Sequence, residues 1–85
     1  MAEKLLDATG LGCPFPELKA AKVLYGMAPG ETLELLSSDP ASIENVAALC
    51  RSAGHELLDS SQINSHIFRF VIKRVEAHEQ AITSP

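Results

Sequence analysis

Cysteine and long apolar runs are both scarce in this 85-residue sequence. The chain has two cysteines and no Cys-x-x-Cys pair, so it carries no disulfide framework. Its longest unbroken apolar stretch is Val46–Cys50, which is far too short to cross a bilayer. The first six residues contain no apolar signal-peptide segment. We therefore expect a cytoplasmic protein with reduced thiols and no membrane association.

Basic charge and aromatic residues are scarce as well. The formal net charge is −4 at pH 7, and aromatic residues make up 5% of the chain. Proteins that bind nucleic-acid backbones need a basic face, often with interleaved aromatic side chains, so we expect no direct nucleic-acid contact. An acidic chain suits a partner protein with a basic patch. The length and the 46% hydrophobic content indicate one ordinary folded domain.

Turn signals divide the chain into six short elements followed by a polar end. Strands are predicted at 4–8, 31–37, 56–60 and 67–75, and helices at 14–27 and 40–53. Right-handed crossovers make the first two strands parallel and place both helices on one face of the sheet. The sequence therefore predicts an α/β (α+β) two-layer sandwich of order β-α-β-α-β-β, formed by residues 1–75. We expect residues 76–85 to form a flexible tail.

Apolar spacing also predicts which face of each helix is buried. Asp39 is predicted as the N-cap of the second helix, with Pro40 at its first position and Gly54 at its end. In the last strand, alternation predicts one apolar face and one polar face. The residues expected in the core are Leu18, Ala21, Leu24, Tyr25 and Ala28 of the first helix, Ile43, Val46, Ala47 and Cys50 of the second, and Phe68, Phe70 and Ile72 of the last strand.

Cys13 is the most informative residue of the chain. It opens a Cys-Pro-Phe-Pro motif, directly after the loop 9–12 and directly before the first helix. A helix N-terminus favours a thiolate, and proline suits the first turn because its missing N–H has no intrahelical partner there. The early N–H donors left near the sulfur are those of Phe15 and Glu17. The alternative is a small buried hydrophobic side chain, a common fate of free cysteine.

Other residues near this turn admit both structural and functional roles. Phe15 is either an exposed partner anchor or a side chain folded back on the core. Asp39 is either an N-cap alone or a secondary site residue, since its turn is predicted on the same rim as Cys13. Lys19 and Lys22 form either a solvated face or a patch that steers an acidic partner.

Cys50 and the three histidines are expected to be structural. Cys50 falls on the core face of the second helix, where a free thiol is usually inert. A disulfide with Cys13 is disfavoured, because a helix start and a mid-helix position rarely reach the required separation. His55, His66 and His78 are scattered and lack the spacing of a metal site, so we expect no metal.

Five segments, in this order and at this spacing, resemble the TusA/SirA-type sulfur-carrier family. The resemblance extends over roughly residues 4–74, and the combination of motifs is more specific than the Cys-Pro-x-Pro element alone. It implies a four-stranded mixed sheet. The segments are 6–11, 13–16, 27–31, 38–41 and 54–57.

The resemblance also implies a function and a site. Cys13 would be the catalytic residue, carrying sulfane sulfur as a persulfide. The donor would be a cysteine desulfurase or a rhodanese and the acceptor another sulfur-relay protein, in tRNA thiolation, molybdenum-cofactor synthesis or sulfur oxidation. This makes the chain a sulfurtransferase that needs partner proteins and no cofactor. The supporting turn would be Gly12, Pro14, Phe15 and Pro16.

One residue departs from the family pattern. Some members place Arg or another large residue before the cysteine, where this chain has Gly12. Without that cation, stabilisation of a sulfur anion depends more on the helix end, and Glu17 in the same turn opposes it. The alternative function is a non-catalytic interaction or regulatory module with a structural or redox-sensing cysteine.

Overall fold

The computed structural model describes residues 3–12 and 14–75, and the tail predicted at 76–85 lies outside them. The elements form one four-stranded mixed sheet in the order β1-β2-β4-β3. β1 pairs in parallel with β2, while β4 is antiparallel to both β2 and β3. The predicted fold class and element order are confirmed. The elements are β1 Lys4–Ala8, α1 Phe15–Tyr25, β2 Thr32–Ser37, α2 Ser42–Ala53, β3 Glu56–Gln62 and β4 Phe68–Lys73.

The two central strands build the core by strict alternation. Leu33 and Leu35 of β2 lie opposite Ile72 and Phe70 of β4, and all four side chains are fully buried beneath the helices. The intervening residues form the helix-free face of the sheet, where the Arg69 guanidinium donates to the Glu34 carboxylate at 2.6 Å. The predicted apolar and polar faces of β4 are confirmed.

The predicted buried face of α1 is only partly right. Ala20 and Leu24 are buried against the sheet, but Leu18 is 56% exposed and Tyr25 is 84% exposed. The helix carries apolar residues around most of its circumference, so spacing alone could not fix its rotation. It also ends at Tyr25, before the predicted stop, because the Gly26 N–H turns back to the Val23 carbonyl.

α2 begins later than predicted and turns Ile43 outward. The helix begins at Ser42 with Ala41 at the N-cap, and its buried residues are Ser42, Val46 and Cys50. Its predicted end is confirmed. Gly54 adopts a left-handed φ of +80°, which a residue with a Cβ rarely tolerates, and its N–H caps the Cys50 carbonyl.

The β3–β4 hairpin differs from its prediction in strand length. β3 continues to Gln62, because its polar residues pair with β4 along an edge where their side chains stay in water. The following turn is closed by the Ile63 N–H, which donates to the Ile67 carbonyl at 2.8 Å. β4 is shorter than predicted at both ends and comprises Phe68–Lys73.

Two serine hydroxyls form a buried polar pair where β2 meets α2. Ser37 and Ser42 are both fully buried, and their Oγ atoms lie 2.6 Å apart. Ser37 Oγ also accepts a hydrogen bond from the Asp39 N–H at 3.2 Å. Buried hydroxyls need such partners, so this pair joins the end of β2 to the first turn of α2.

We predict that Ser42→Ala lowers the free energy of unfolding by about 1–3 kcal/mol, because the Ser37 hydroxyl loses a buried partner. The double variant Ser37→Ala/Ser42→Ala should cost less than the sum of the two single variants. Urea unfolding measures all three. Ser52→Ala, on the exposed side of α2, is the matched control and should stay within about 0.5 kcal/mol of the parent. Additive single effects would contradict the coupling.

Candidate functional site

The loop that leads to Cys13 is held in one conformation by its own residues. The Leu11 N–H donates to the Ala8 carbonyl at 3.2 Å, which closes a turn with Gly10 at a φ of +86°. The Asp7 carboxylate accepts hydrogen bonds from the Thr9 hydroxyl at 2.6 Å and the Thr9 N–H at 3.0 Å. These bonds lower the pKa of Asp7 below its ordinary value, so the carboxylate stays charged and keeps the turn in place.

A hydrogen bond joins this loop to the start of the second crossover. The Gly10 N–H donates to Ser38 Oγ at 2.8 Å. The loop before Cys13 and the loop that contains Asp39 therefore lie on the same rim, as predicted from the parallel pairing of β1 and β2. The roles of Ser38 and Asp7 in shaping this rim were not predicted from the sequence. An Asp two residues before a Thr, next to a glycine, was the available signal.

The chain on both sides of Cys13 is also ordered by hydrogen bonding, while Cys13 itself lies outside the described residues. The Phe15 N–H donates to the Gly12 carbonyl at 3.0 Å, which bridges the cysteine position. Pro14 is the N-cap residue of α1, and Pro16 is buried in its first turn. One expectation is corrected here, because the Phe15 N–H is used by the backbone rather than left for the sulfur.

The backbone conformation at position 12 does not require glycine. Its φ lies outside the left-handed region, and a Cβ built on it would meet nothing within 4 Å. A larger residue would fit at this position without strain. The fold therefore does not explain why this sequence has no side chain immediately before Cys13.

Phe15 projects into solvent at the start of α1. It is 56% exposed, so it does not fold back on the core. Leu18, one turn later, is exposed to the same extent. Residues three apart on a helix are neighbours, so the two side chains form an apolar patch beside the Cys13 turn. Leu18 is predicted in the core by its spacing but is exposed, so this patch was not predicted from the sequence.

Lys19 and Lys22 lie on an exposed part of α1 that faces the edge strand β1. With Leu6 and Val23 they line an open cavity of about 200 Å³. Both ammonium groups are solvated, which agrees with one of the two roles predicted for them. Their charge adjoins the apolar patch of Phe15 and Leu18.

Asp39 caps a backbone group without being the formal N-cap. Its Oδ1 accepts from the Ala41 N–H at 3.0 Å, and its carbonyl accepts from the Ser42 N–H at 2.9 Å. Pro40 and Ala41 form a tight turn, in which backbone N–H groups donate to carbonyl groups three residues earlier. The regular helix follows this turn. The N-cap assignment was wrong by two residues, but the carboxylate still satisfies an N–H at the start of α2.

Cys50 is a free thiol in the core and is 3% exposed. Burial raises the pKa of the Cys50 thiol, which keeps it protonated and unreactive. Within residues 3–12 and 14–75, no three His, Cys, Asp or Glu side chains are grouped so that they could hold a metal ion. In that same part of the chain, neither helix has the length and apolarity needed to cross a membrane.

The fold and the rim together define a class of small proteins. Residues 3–12 and 14–75 form a two-layer α/β sandwich, and the sequence places Cys13 between the loop 9–12 and Pro14, the N-cap of the first helix. The profile of the sulfurtransferase TusA family matches residues 4–74. This chain therefore belongs to the TusA family, whose role is sulfur transfer.

Two relatives are similar in sequence, and one solved structure has the same fold. The sulfur carrier protein TusA of Allochromatium vinosum is 39% identical over 69 residues, which cover 81% of this chain and 90% of the relative. A candidate sulfur carrier protein of Neisseria meningitidis serogroup A is 40% identical over 73 residues, covering 86% of this chain and 97% of the relative. A SirA-like protein of Desulfitobacterium hafniense, known from a crystal structure, has the same fold, with a TM-score of 0.76 at 22% identity over 86% of this chain and 99% of that chain.

We predict that Asp39→Ala lowers the free energy of unfolding by about 0.5–2 kcal/mol, since an N–H at the start of α2 loses its acceptor. Asp39→Asn is the matched control, because it keeps an oxygen acceptor at the same place and should retain most of the stability. Denaturant midpoints measure both variants. Equal midpoints for Asp39→Ala and the parent would show that the carboxylate does not support the helix start.

Proposed function

We propose that this chain is a sulfur-relay protein that carries sulfane sulfur as a persulfide on Cys13. A cysteine desulfurase or a rhodanese supplies the sulfur, and a second relay protein accepts it. The observation that carries the proposal is the family match across residues 4–74, with Cys13 in the Cys-Pro-Phe-Pro motif at the start of α1. The enzyme class that fits is a sulfurtransferase whose substrate is held covalently.

The relay consists of two exchange steps. The Cys13 thiolate attacks the outer sulfur of the donor persulfide, the new S–S bond forms, and the donor cysteine leaves as a thiolate. The acceptor thiolate then attacks the outer sulfur on Cys13, and Cys13 leaves as the thiolate. Each step makes one S–S bond and breaks one, so neither needs an external oxidant or reductant.

The exposure of the residues around Cys13 supports this chemistry more strongly than the local charge does. Gly12, Pro14 and Phe15 are all exposed, so the residues that flank the thiol do not enclose it. The N-terminus of α1 stabilises a sulfur anion by about 0.3–1 kcal/mol at an exposed position. Glu17, in the same turn, opposes that effect. Reactivity at this site therefore depends more on accessibility than on a strongly stabilised thiolate.

Partner docking is proposed to use the apolar patch of Phe15 and Leu18. Exposed aromatic side chains are common anchors of protein interfaces. Lys19 and Lys22 lie on the same helix and offer a steering charge for carboxylates of a partner. The patch would hold the partner while its cysteine reaches the Cys13 turn.

Incubation with a cysteine desulfurase and cysteine, or with a rhodanese and thiosulfate, should add the mass of one sulfur atom to the intact protein. We predict that Cys13→Ser abolishes this gain, because serine cannot form the persulfide. Intact mass spectrometry measures the change, and Cys50→Ala is the control that should still gain sulfur. A parent protein that gains no sulfur from either donor would contradict the proposal. A parent protein that gains no sulfur yet binds a partner as tightly as Cys13→Ser does would favour an interaction module.

Phe15→Ala should slow sulfur loading from the donor about fivefold or more, the effect of losing an interface anchor worth about 1 kcal/mol or more. Its denaturant midpoint should not change, since the side chain is mostly exposed. The control is Ile63→Ala, because Ile63 is 55% exposed and lies in the β3–β4 turn. Time-resolved mass spectrometry gives both rates. Equal loading rates in the two variants would argue against Phe15 as an anchor.

A further inference from the structure

A groove lies between the carboxyl ends of the two helices and the end of β4. Its volume is about 280 Å³, slightly below the range of about 300–1,000 Å³ that ligand pockets usually span. It can therefore hold a small ligand but not a large cofactor. Apolar atoms form most of its wall, and among residues 3–12 and 14–75 no carboxylate lines it. The lining residues are Ala21, Tyr25, Leu49, Ala53, His55, Arg74 and Val75.

Arg74 is the charged residue of the groove, and its position is fixed. Its backbone N–H donates to the Glu31 carbonyl at 2.8 Å, and its carbonyl accepts from the Gly30 N–H at 2.7 Å. Its Nε donates to the Leu24 carbonyl at 2.6 Å, which anchors the guanidinium against the last turn of α1. A guanidinium held in this way is suited to pair with an anionic oxygen, because little side-chain freedom is lost on binding.

His55 adds a second donor. Its Nδ1 accepts a hydrogen bond from the Val75 N–H at 3.2 Å, so in the neutral ring the proton lies on Nε2. Burial, with a smaller effect from the Arg74 guanidinium, lowers the pKa of His55 and keeps the ring neutral near pH 7. His55 is also held through its backbone N–H, which donates to the Cys50 carbonyl at 2.9 Å.

The helix ends do not oppose an anion as strongly as their position suggests. The carboxyl end of a helix carries partial negative charge on its last carbonyl groups. The Leu24 carbonyl is capped by Arg74 Nε, and the Cys50 carbonyl by the His55 N–H. The groove residues of α1, Ala21 and Tyr25, lie about 9 and 15 Å along the helix axis from Phe15, so the groove is separate from the start of α1.

We propose that this groove binds a small carboxylate with a short apolar body, the carboxylate pairing with Arg74 and the carbon chain lying against the apolar wall. The described lining holds a guanidinium and a neutral imidazole donor but no carboxylate, so it favours an anion over a cation or a neutral alcohol. The apolar wall of Leu49, Ala53 and Val75 favours a carbon chain over a bare anion. This proposal does not depend on sulfur transfer and concerns a surface away from Cys13.

The test is a titration of the full chain with hexanoate at pH 7, followed by amide chemical shifts in two-dimensional NMR. We expect saturable shifts at the groove residues, with a Kd of about 1 mM or tighter for a ligand of this size. 1-Hexanol and acetate should each bind at least about tenfold more weakly, because each lacks one half of the recognised chemistry. If 1-hexanol bound as tightly as hexanoate, the proposed role of Arg74 would be wrong. If acetate bound as tightly as hexanoate, the proposed role of the apolar wall would be wrong.

Two variants and a control complete the test. Arg74→Gln should weaken hexanoate binding at least about tenfold by removing the charge. Lys73→Gln makes the same change in net charge on the opposite face of the sheet and should leave the Kd within about twofold. If Arg74→Gln does not fold, Ala53→Leu fills the groove without changing charge and should abolish the shifts. Linear shifts up to about 20 mM in the parent protein would overturn the proposal.

Discussion

The parallel pairing of β1 with β2 is the constraint on which the rest of the arrangement depends. Parallel strands end at the same edge of a sheet, and each is followed here by a crossover that opens with a polar loop. The loop before Cys13 and the loop around Asp39 are thereby brought together. The hydrogen bond from the Gly10 N–H to Ser38 Oγ then ties them into one rim. An antiparallel β1 would have placed the two loops at opposite ends of the molecule.

The strands and the order of the elements could be predicted from the sequence because they depend on local signals. Alternation in Phe68–Lys73 and the turn residues between the elements were sufficient for a correct fold class. The bounds of β1 were predicted without error. The rotation of α1 could not be predicted, since an apolar residue such as Leu18 or Tyr25 is compatible with either face until the sheet is present. The extension of β3 to Gln62 likewise depends on pairing with β4, which the polar residues of an edge strand do not reveal in the sequence.

The candidate site, like the fold, was predictable where local signals decide it and not where tertiary contacts do. The motif around Cys13 was evident because cysteine and proline at a helix start carry a local physical meaning. The contacts that shape its loop were not, because Ser38 lies 28 residues from Gly10 along the chain. The Phe15 N–H was assigned to the sulfur but is engaged by the Gly12 carbonyl, since a turn can use its own backbone donors first. Local chemistry thus singled out Cys13 as the candidate residue, while tertiary contacts fix the conformation of the loop before it.

If Cys13 carries sulfur as proposed, the burial of Cys50 has a consequence for how long that sulfur stays on the chain. Proteins that discharge a persulfide internally use a second, reactive cysteine, which closes a disulfide and expels sulfide. Cys50 is the only other cysteine of this sequence, and it is buried in the core with its thiol protonated. Sulfur placed on Cys13 would therefore have no internal route of release, and its lifetime would be set by encounters with thiols of other molecules.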